Sequence, residues 1–234
     1  MLDAKKVKAF WDNRSRYYNQ QPFESIVNLE QDPENLDLKI REETSKVFAW
    51  LPDVMGKRVL DLGAGIGQWA FRFQKRRAES VTAVEFSESL VSIGREEACQ
   101  RGVDNVHFVV ASAEDYTSNE LFDIVLISGL MVYLNDCQAE KLLSHLVALT
   151  TPETVILLRD GTGTAGRYEI NNRFSEVLDT EYSATYRTAE QYTTLFARYG
   201  FQLLKQEDMF PEGHILNKYP QTRLRLYRFQ KKNG

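Results

Sequence analysis

The chain has little of what metal centres, disulfide frameworks and nucleic-acid grooves are built from. Only two cysteines and three histidines stand among its 234 residues. Cys99 and Cys137 fall in segments with helical apolar spacing, and His107, His145 and His214 are isolated from one another and from the cysteines. Neither set has disulfide or metal-ligand spacing, so reduced thiols and no metal are expected. No basic run exceeds Lys75-Arg76-Arg77 and the net charge is -4, which argues against a nucleic-acid groove. Nowhere do about eighteen apolar residues run together, and Met1-Leu2-Asp3-Ala4-Lys5-Lys6 lacks the apolar core of a signal peptide. No membrane partner and a cytoplasmic location are therefore expected. At 43% apolar and 26% charged, the composition suits one α/β domain with a sizeable core, or such a domain with an appended lid.

What is present is organised around Val59-Leu60-Asp61-Leu62-Gly63-Ala64-Gly65-Ile66-Gly67-Gln68-Trp69. A short β-branched run passes through three alternating glycines into Ala70-Phe71-Arg72-Phe73, which has helical apolar spacing. Glycine is wanted where the backbone takes φ > 0 or lets a ligand approach, and helix-start amides offer unpaired donors. A nucleotide-like cofactor is the first inference. Dinucleotide sites use G-x-G-x-x-G, and here Gly67 comes one residue too early for that pattern.

The following strand, Ser80 to Glu85, ends in a carboxylate whose two oxygens suit both hydroxyls of a ribose, a helix-capping or surface acid being the bland alternative. A helix from Ser87 through Cys99, a strand from Val106, and a strongly apolar strand ending at Ser128 come next. Asn135-Asp136 opens a helix expected to run through Leu149, and Thr154 to Asp160 forms a fifth strand. Gly161-Thr162-Gly163-Thr164-Ala165-Gly166 reads as neither strand nor helix interior. A helix from Thr188 to Tyr199 and two last strands, from Phe201 and Arg223, close the chain. Upstream, residues 3–20 read as one amphipathic helix, and a second helix runs from Asp32-Pro33 to Trp50.

The form D-x-G-x-G-x-G, with Glu85 ending the next strand, resembles motif I of the class I S-adenosylmethionine-dependent methyltransferases. The resemblance covers residues 57–230 as architecture, with specific motifs at 59–69, 80–85 and 122–134. It implies an α/β, Rossmann-like sheet of seven strands, six parallel and the seventh antiparallel, with helices on both faces. Residues 1–56 then form a helical lid and packing helix, 57–234 the S-adenosylmethionine-binding domain, and 161–187 a substrate-recognition insertion. The cofactor is expected against Asp61, Gly63, Ala64, Gly65, Gly67, Glu85, Phe86 and Ser128. The family's usual acid after the third strand is Ser112 here, which passes the adenine contact to Ser112, Ala113 or Glu114. In similar enzymes a tyrosine of the first helix reaches cofactor or substrate, which suggests Tyr18 for the first and Tyr17 for the second.

Tyr133, on the loop where methyl group and acceptor meet, is the catalytic candidate. The stretch Phe122 to Asp136, with Arg159-Asp160 and Tyr186-Arg187, also looks distantly like the methyltransferases of protein N-terminal amines. Those enzymes have a histidine where Tyr133 stands, an aspartate at Thr188 and a cofactor-carboxylate arginine at Gln68, so their substrate class does not carry over. Arg159, Asp160, Arg173, Tyr186 and Arg187 are the acceptor-binding candidates. The arginines, Arg167 among them, suggest a carboxylate, phosphonate or phosphate on the acceptor, against the alternative of solvated surface groups. The expected activity is methylation of a nitrogen or oxygen of a small molecule, by a monomer or homodimer. The alternatives are a peptide or protein amine as acceptor, or a catalytically silent scaffold.

Overall fold

The computed structural model describes residues 2–28, 30, 32–175 and 180–232. Its framework is a seven-stranded sheet whose apolar strands alternate their side chains between two cores. The strands are β1 (Arg58–Leu62), β2 (Ser80–Glu85), β3 (Val106–Val110), β4 (Phe122–Ser128), β5 (Thr150–Gly163) and, after a separate hairpin, β8 (Phe201–Asp208) and β9 (Thr222–Lys231). Their order is β3-β2-β1-β4-β5-β9-β8, and only β9 runs against the others, as the resemblance implied. One face carries Val59, Ile124, Leu126 and Leu157 against Phe71 and Phe73 of helix α3 (Gln68–Gln74). The other carries Leu60, Val125, Ile127 and Leu158 against α5 (Asp136–Leu146) and α6 (Ala189–Arg198), through Leu142, Leu143, Tyr192 and Phe196. Strands buried on both faces read as continuous apolar runs, which is why β4 was legible.

Parallel strands joined by right-handed crossovers bring every strand's C-terminal end to one rim. The glycine loop after β1, Glu85 at the end of β2, Ser128 at the end of β4 and the Arg159-Asp160 step of β5 all lie there. Helix α4 (Glu88–Gln100) begins at the same rim, with Ser87 as its N-cap accepting from the Leu90 amide.

Three expectations are corrected. The helix expected over 3–20 is α1 (Ala4–Arg14), followed by a 3-10 segment, Ser15–Gln20. It stops where Ser15 Oγ bonds back to the Asp12 carbonyl and Arg14 reaches across to the carbonyls of Ser25, Ile26 and Asn28, favouring a turn over another helical step. The helix after Asn135 ends at Leu146, and Val147–Leu149 tightens to 3-10. The third correction bears on the site: the glycine-rich stretch does not interrupt β5, which continues through Gly163 paired to β9, Gly161 opposite Leu224 and Gly163 opposite Thr222. Gly161 is there for space. A Cβ on it would lie 2.6 Å from the Tyr186 ring.

That ring belongs to the hairpin of β6 (Tyr168–Ser175) and β7 (Thr180–Tyr186), a two-stranded antiparallel sheet of its own lying over the rim. The 161–187 insertion therefore has regular structure that its sequence did not announce. α1 packs against β7 and α4, and α2 (Pro33–Ala49), N-capped by Asp32, meets the rim where its Glu43 accepts from Arg159. Among the described residues no helix is long and apolar enough to cross a membrane.

Candidate active site

The rim elements enclose a cavity of about 580 Å³. One end is the loop after β1. Gly63, Gly65 and Gly67 have φ of 73°, 58° and 86°, and at Gly67 a Cβ would also meet Phe108 Cζ at 2.5 Å, so this hairpin tolerates no side chain there. Glu85, 4% exposed, closes over the loop: its Oε2 accepts from the Gly65 amide at 3.0 Å and its Oε1 from the Ser87 amide at 2.9 Å. Burial raises its pKa while these amides pull the other way. Each oxygen keeps a lone pair for a further donor. Gly63, Ala64, Gly65, Glu85, Phe86, Ser112, Ala113, Glu114 and Ser128 all line the cavity. Glu114 also accepts from Gln138 Nε2 at 2.7 Å.

Asp61 and Gly67 lie under this lining rather than in it. Both Asp61 carboxylate oxygens are buried without a hydrogen bond, and burial, reinforced by Glu85 and opposed by Arg72, pushes its pKa up to about 7. An uncompensated buried carboxylate is costly, and the Ala70 amide offsets that cost only in part, which leaves Asp61 near its protonated form.

At the other end stand Tyr133, Asp160 and Tyr186 together with Tyr182 and Trp11, all lining the same cavity. Tyr133 and Tyr182 share a hydrogen bond at 3.3 Å, and Tyr182 and Tyr186 another at 3.2 Å. Burial raises the pKa of all three phenols, which are neutral across the physiological range. Asp160 is fully buried, its Oδ2 accepting from the Met131 amide at 2.6 Å and its Oδ1 from the Gly161 amide at 2.7 Å. Burial raises its pKa to about 6. Arg159 and Asp160 do not pair with each other. Arg159 donates to Glu43 of α2 and to Ser128 Oγ, drawing the ends of β4 and β5 against that helix.

Several sequence candidates fall elsewhere. Tyr18 turns from the cavity and donates to Glu97 Oε1 at 2.8 Å, and burial with this carboxylate raises its pKa to about 12. Arg187, 2% exposed, is no acceptor ligand: its guanidinium binds Asp136 and the carbonyls of Met131 and Leu134, clamping the loop that carries Tyr133. Arg167 pairs with Asp136 and Glu169. Tyr17 and Arg173 lie outside the residues whose side chains the structure describes. The cations that line the cavity include instead Lys39, Arg159, Lys218 and Arg223, of which Arg159 is paired with Glu43 and Lys218 with Glu30. Sequence reading missed Tyr182, Trp11, Lys39 and Glu43. Tyr182 was accessible in principle, since on a strand it shares a face with Tyr186 four residues on.

A family model described as a methyltransferase domain matches residues 59–153, the span from β1 into β5 that carries the glycine loop, Glu85 and Ser128. Residues 59–153 thus match a methyltransferase domain. Around this methyltransferase domain, 165 residues are 34% identical to phosphoethanolamine N-methyltransferase 1 of Triticum aestivum, covering 68% of this chain and 31% of the wheat protein. The chain spans about a third of the length of the curated relatives it matches first. Among solved structures, phosphoethanolamine N-methyltransferase 1 of Haemonchus contortus, with phosphoethanolamine and S-adenosylhomocysteine, superposes with a TM-score of 0.74 at 20% identity, over 99% of this chain and 50% of that one. The Burkholderia thailandensis 1,6-didemethyltoxoflavin-N1-methyltransferase, with its substrate and S-adenosylhomocysteine, gives 0.71 at 16% identity, over 100% of this chain and 92% of that one. At these identities both likenesses show the fold alone.

Proposed function

We propose that the methyltransferase domain transfers a methyl group from S-adenosylmethionine to a nitrogen of a small molecule that also carries an anionic group. The observation that carries this is the single cavity joining the Gly63–Gly67 loop and Glu85 at one end to Tyr133, Asp160 and Tyr186 at the other. The residues fit the cofactor. Glu85 has free lone pairs for two ribose hydroxyls. Ser112, Ala113 and Glu114 would border the adenine. Gln68 stands where an arginine would hold the cofactor carboxylate, and its amide is spent on the Glu24 carbonyl at 2.8 Å. Lys39, which donates to Asn28 Oδ1, and Arg72, paired with Glu24, line the same cavity and are the cations we assign to that task.

When bound, the sulfonium supplies a methyl group already attached to a good leaving group. What the chain must supply is alignment, worth on the order of 7 to 11 kcal/mol in well-oriented systems, and an unprotonated lone pair. Tyr133, held neutral by burial, orients the acceptor nitrogen through its hydroxyl. Arg223, with Lys218 beside it on Glu30, suits the anionic group, and the phosphoethanolamine in the names of the relatives supports both ends of this acceptor. A covering of α1, which lines the cavity with Val7, Lys8 and Trp11, speaks against a polypeptide acceptor.

Calorimetry with S-adenosylhomocysteine tests the cofactor half. Binding that Glu85→Ala weakens at least tenfold is expected; unchanged affinity removes Glu85 from the ribose role. Radiolabelled methyl transfer to a panel of phosphorylated, carboxylated and neutral amines, with the matching alcohols, tests the acceptor half, and label on the alcohols alone would overturn the choice of nitrogen.

A further inference from the structure

Methyl transfer to nitrogen requires one hydrogen-bonding group near the acceptor, yet the cavity's inner end is walled by aromatic rings. Trp11 and Tyr133 have ring centroids 5.4 Å apart at an interplanar angle of 88°, and Tyr133 and Tyr182 lie 6.2 Å apart at 90°. Three walls therefore meet in succession at right angles, and all three line the cavity. Phe10, buried behind, holds Tyr182 edge-on at 5.8 Å. Tyr186 joins through its hydroxyl and is admitted only because Gly161 has no side chain.

Everything this corner presents is electron-rich. Ring faces carry the negative part of the aromatic quadrupole, and the linked phenols add oxygen lone pairs. Asp160 sits close enough to act electrostatically on all three tyrosines. Its oxygens are met by backbone amides, not by a side-chain cation. The guanidiniums of Arg159 and Arg187 act on Asp160 only through space, their hydrogen bonds going to Glu43 and Ser128 and to Asp136 and two carbonyls. A wall of this kind attracts a cation that is weakly hydrated and too bulky for a carboxylate ion pair, which describes an alkylated ammonium.

We propose that Trp11, Tyr133, Tyr182 and Tyr186, backed by Asp160, form a subsite for the ammonium group of the acceptor and of its methylated product. The proposal rests on the reading of the cavity as a methyltransferase site and adds to it the charge state of the ligand. Before the transfer the bound ammonium gives up a proton to water; the freed nitrogen lone pair then forms the new N–C bond, the S–C bonding pair returns to sulfur, and the nitrogen becomes an alkylated ammonium. That cation stays in contact with the rings. If it still bears an N–H, the proton is surrendered to water before a further methyl group is accepted.

Titration calorimetry of the full chain, loaded with S-adenosylhomocysteine, with choline and with its uncharged isostere, in which carbon replaces the quaternary nitrogen, tests this directly. Choline is expected to bind at least tenfold more tightly than the isostere. Tyr182→Leu should abolish that preference and Tyr182→Phe, which keeps the ring, should retain it; S-adenosylhomocysteine binding by both variants reports an intact fold. Equal binding of the two probes, or a preference that survives Tyr182→Leu, overturns the ammonium subsite while leaving the methyltransferase reading in place. Failure of the wild-type chain to bind S-adenosylhomocysteine overturns that reading and the subsite with it.

Discussion

At the scale of single residues the buried carboxylates around the cavity are held in two opposite ways. Glu85 and Asp160 have both carboxylate oxygens bound to backbone amides, whereas Asp61 has neither bound. The first two are therefore oriented in advance, which is what preorganised sites require, and Asp61 is a buried group near its protonated form. The Tyr133 hydroxyl, which we propose meets the acceptor, is kept protonated by burial. Tyr133→Phe should then lower kcat about tenfold or more while leaving S-adenosylhomocysteine affinity within about twofold, since a hydrogen bond made in the transition state is lost and the cofactor end is untouched. Steady-state kinetics beside calorimetry reads both numbers, and an unchanged kcat would remove Tyr133 from the acceptor.

At the scale of elements, the loop after β4 depends on one buried side chain. Arg187 enters from the end of the hairpin, satisfies the carbonyls of Met131 and Leu134 and pairs with Asp136. Arg187→Leu leaves those acceptors unpaired at a cost of about 1 to 3 kcal/mol each. A fall of several degrees in Tm is expected, together with a loss of turnover larger than that of Asp136→Asn, whose carboxylate side is more exposed. Thermal melts and kinetics of the two variants check this. The same elements show what the sequence carries and what it does not. β1, β2 and β4 were legible because residues such as Leu60, Val84 and Ile127 repeat the buried pattern locally, and the glycine loop because its spacing is a local constraint. Arg187 was misread because a buried clamp and a ligand-binding arginine have the same letter. The hairpin was missed because β6 and β7 alternate weakly, and because Gly161 and Gly163 look like a break unless one knows that Tyr186 lies against the strand. Tyr18 was misplaced for the same reason: Glu97, its partner, is 79 residues away in the chain.

At the scale of the whole molecule, the raised pKa values make stability depend on pH. Asp61 titrates at about 7 and Asp160 at about 6, against unfolded values near 4. Between those limits the folded state holds more protons than the unfolded one, so the contribution of these two groups to stability falls as pH rises from about 4 to about 7 and levels off above. Denaturation of the wild type and of Asp61→Asn at about pH 5 and about pH 8 isolates the first. The variant should gain on the wild type at the higher pH, and a difference independent of pH would contradict the buried, unpaired state of Asp61. S-adenosylhomocysteine at a hundred times its Kd should stabilise the wild type by about 2.7 kcal/mol.

The hairpin of β6 and β7 forms its own small sheet and delivers Tyr182 and Tyr186 to the cavity, while the glycine loop and Glu85 belong to the large sheet. On the proposed reading the hairpin adds two acceptor-facing tyrosines to a site whose other residues, Tyr133 and Asp160 among them, stand on or beside the large sheet. Transplanting residues 164–187 between proteins of this architecture should exchange which molecules are modified without disturbing how the donor is held.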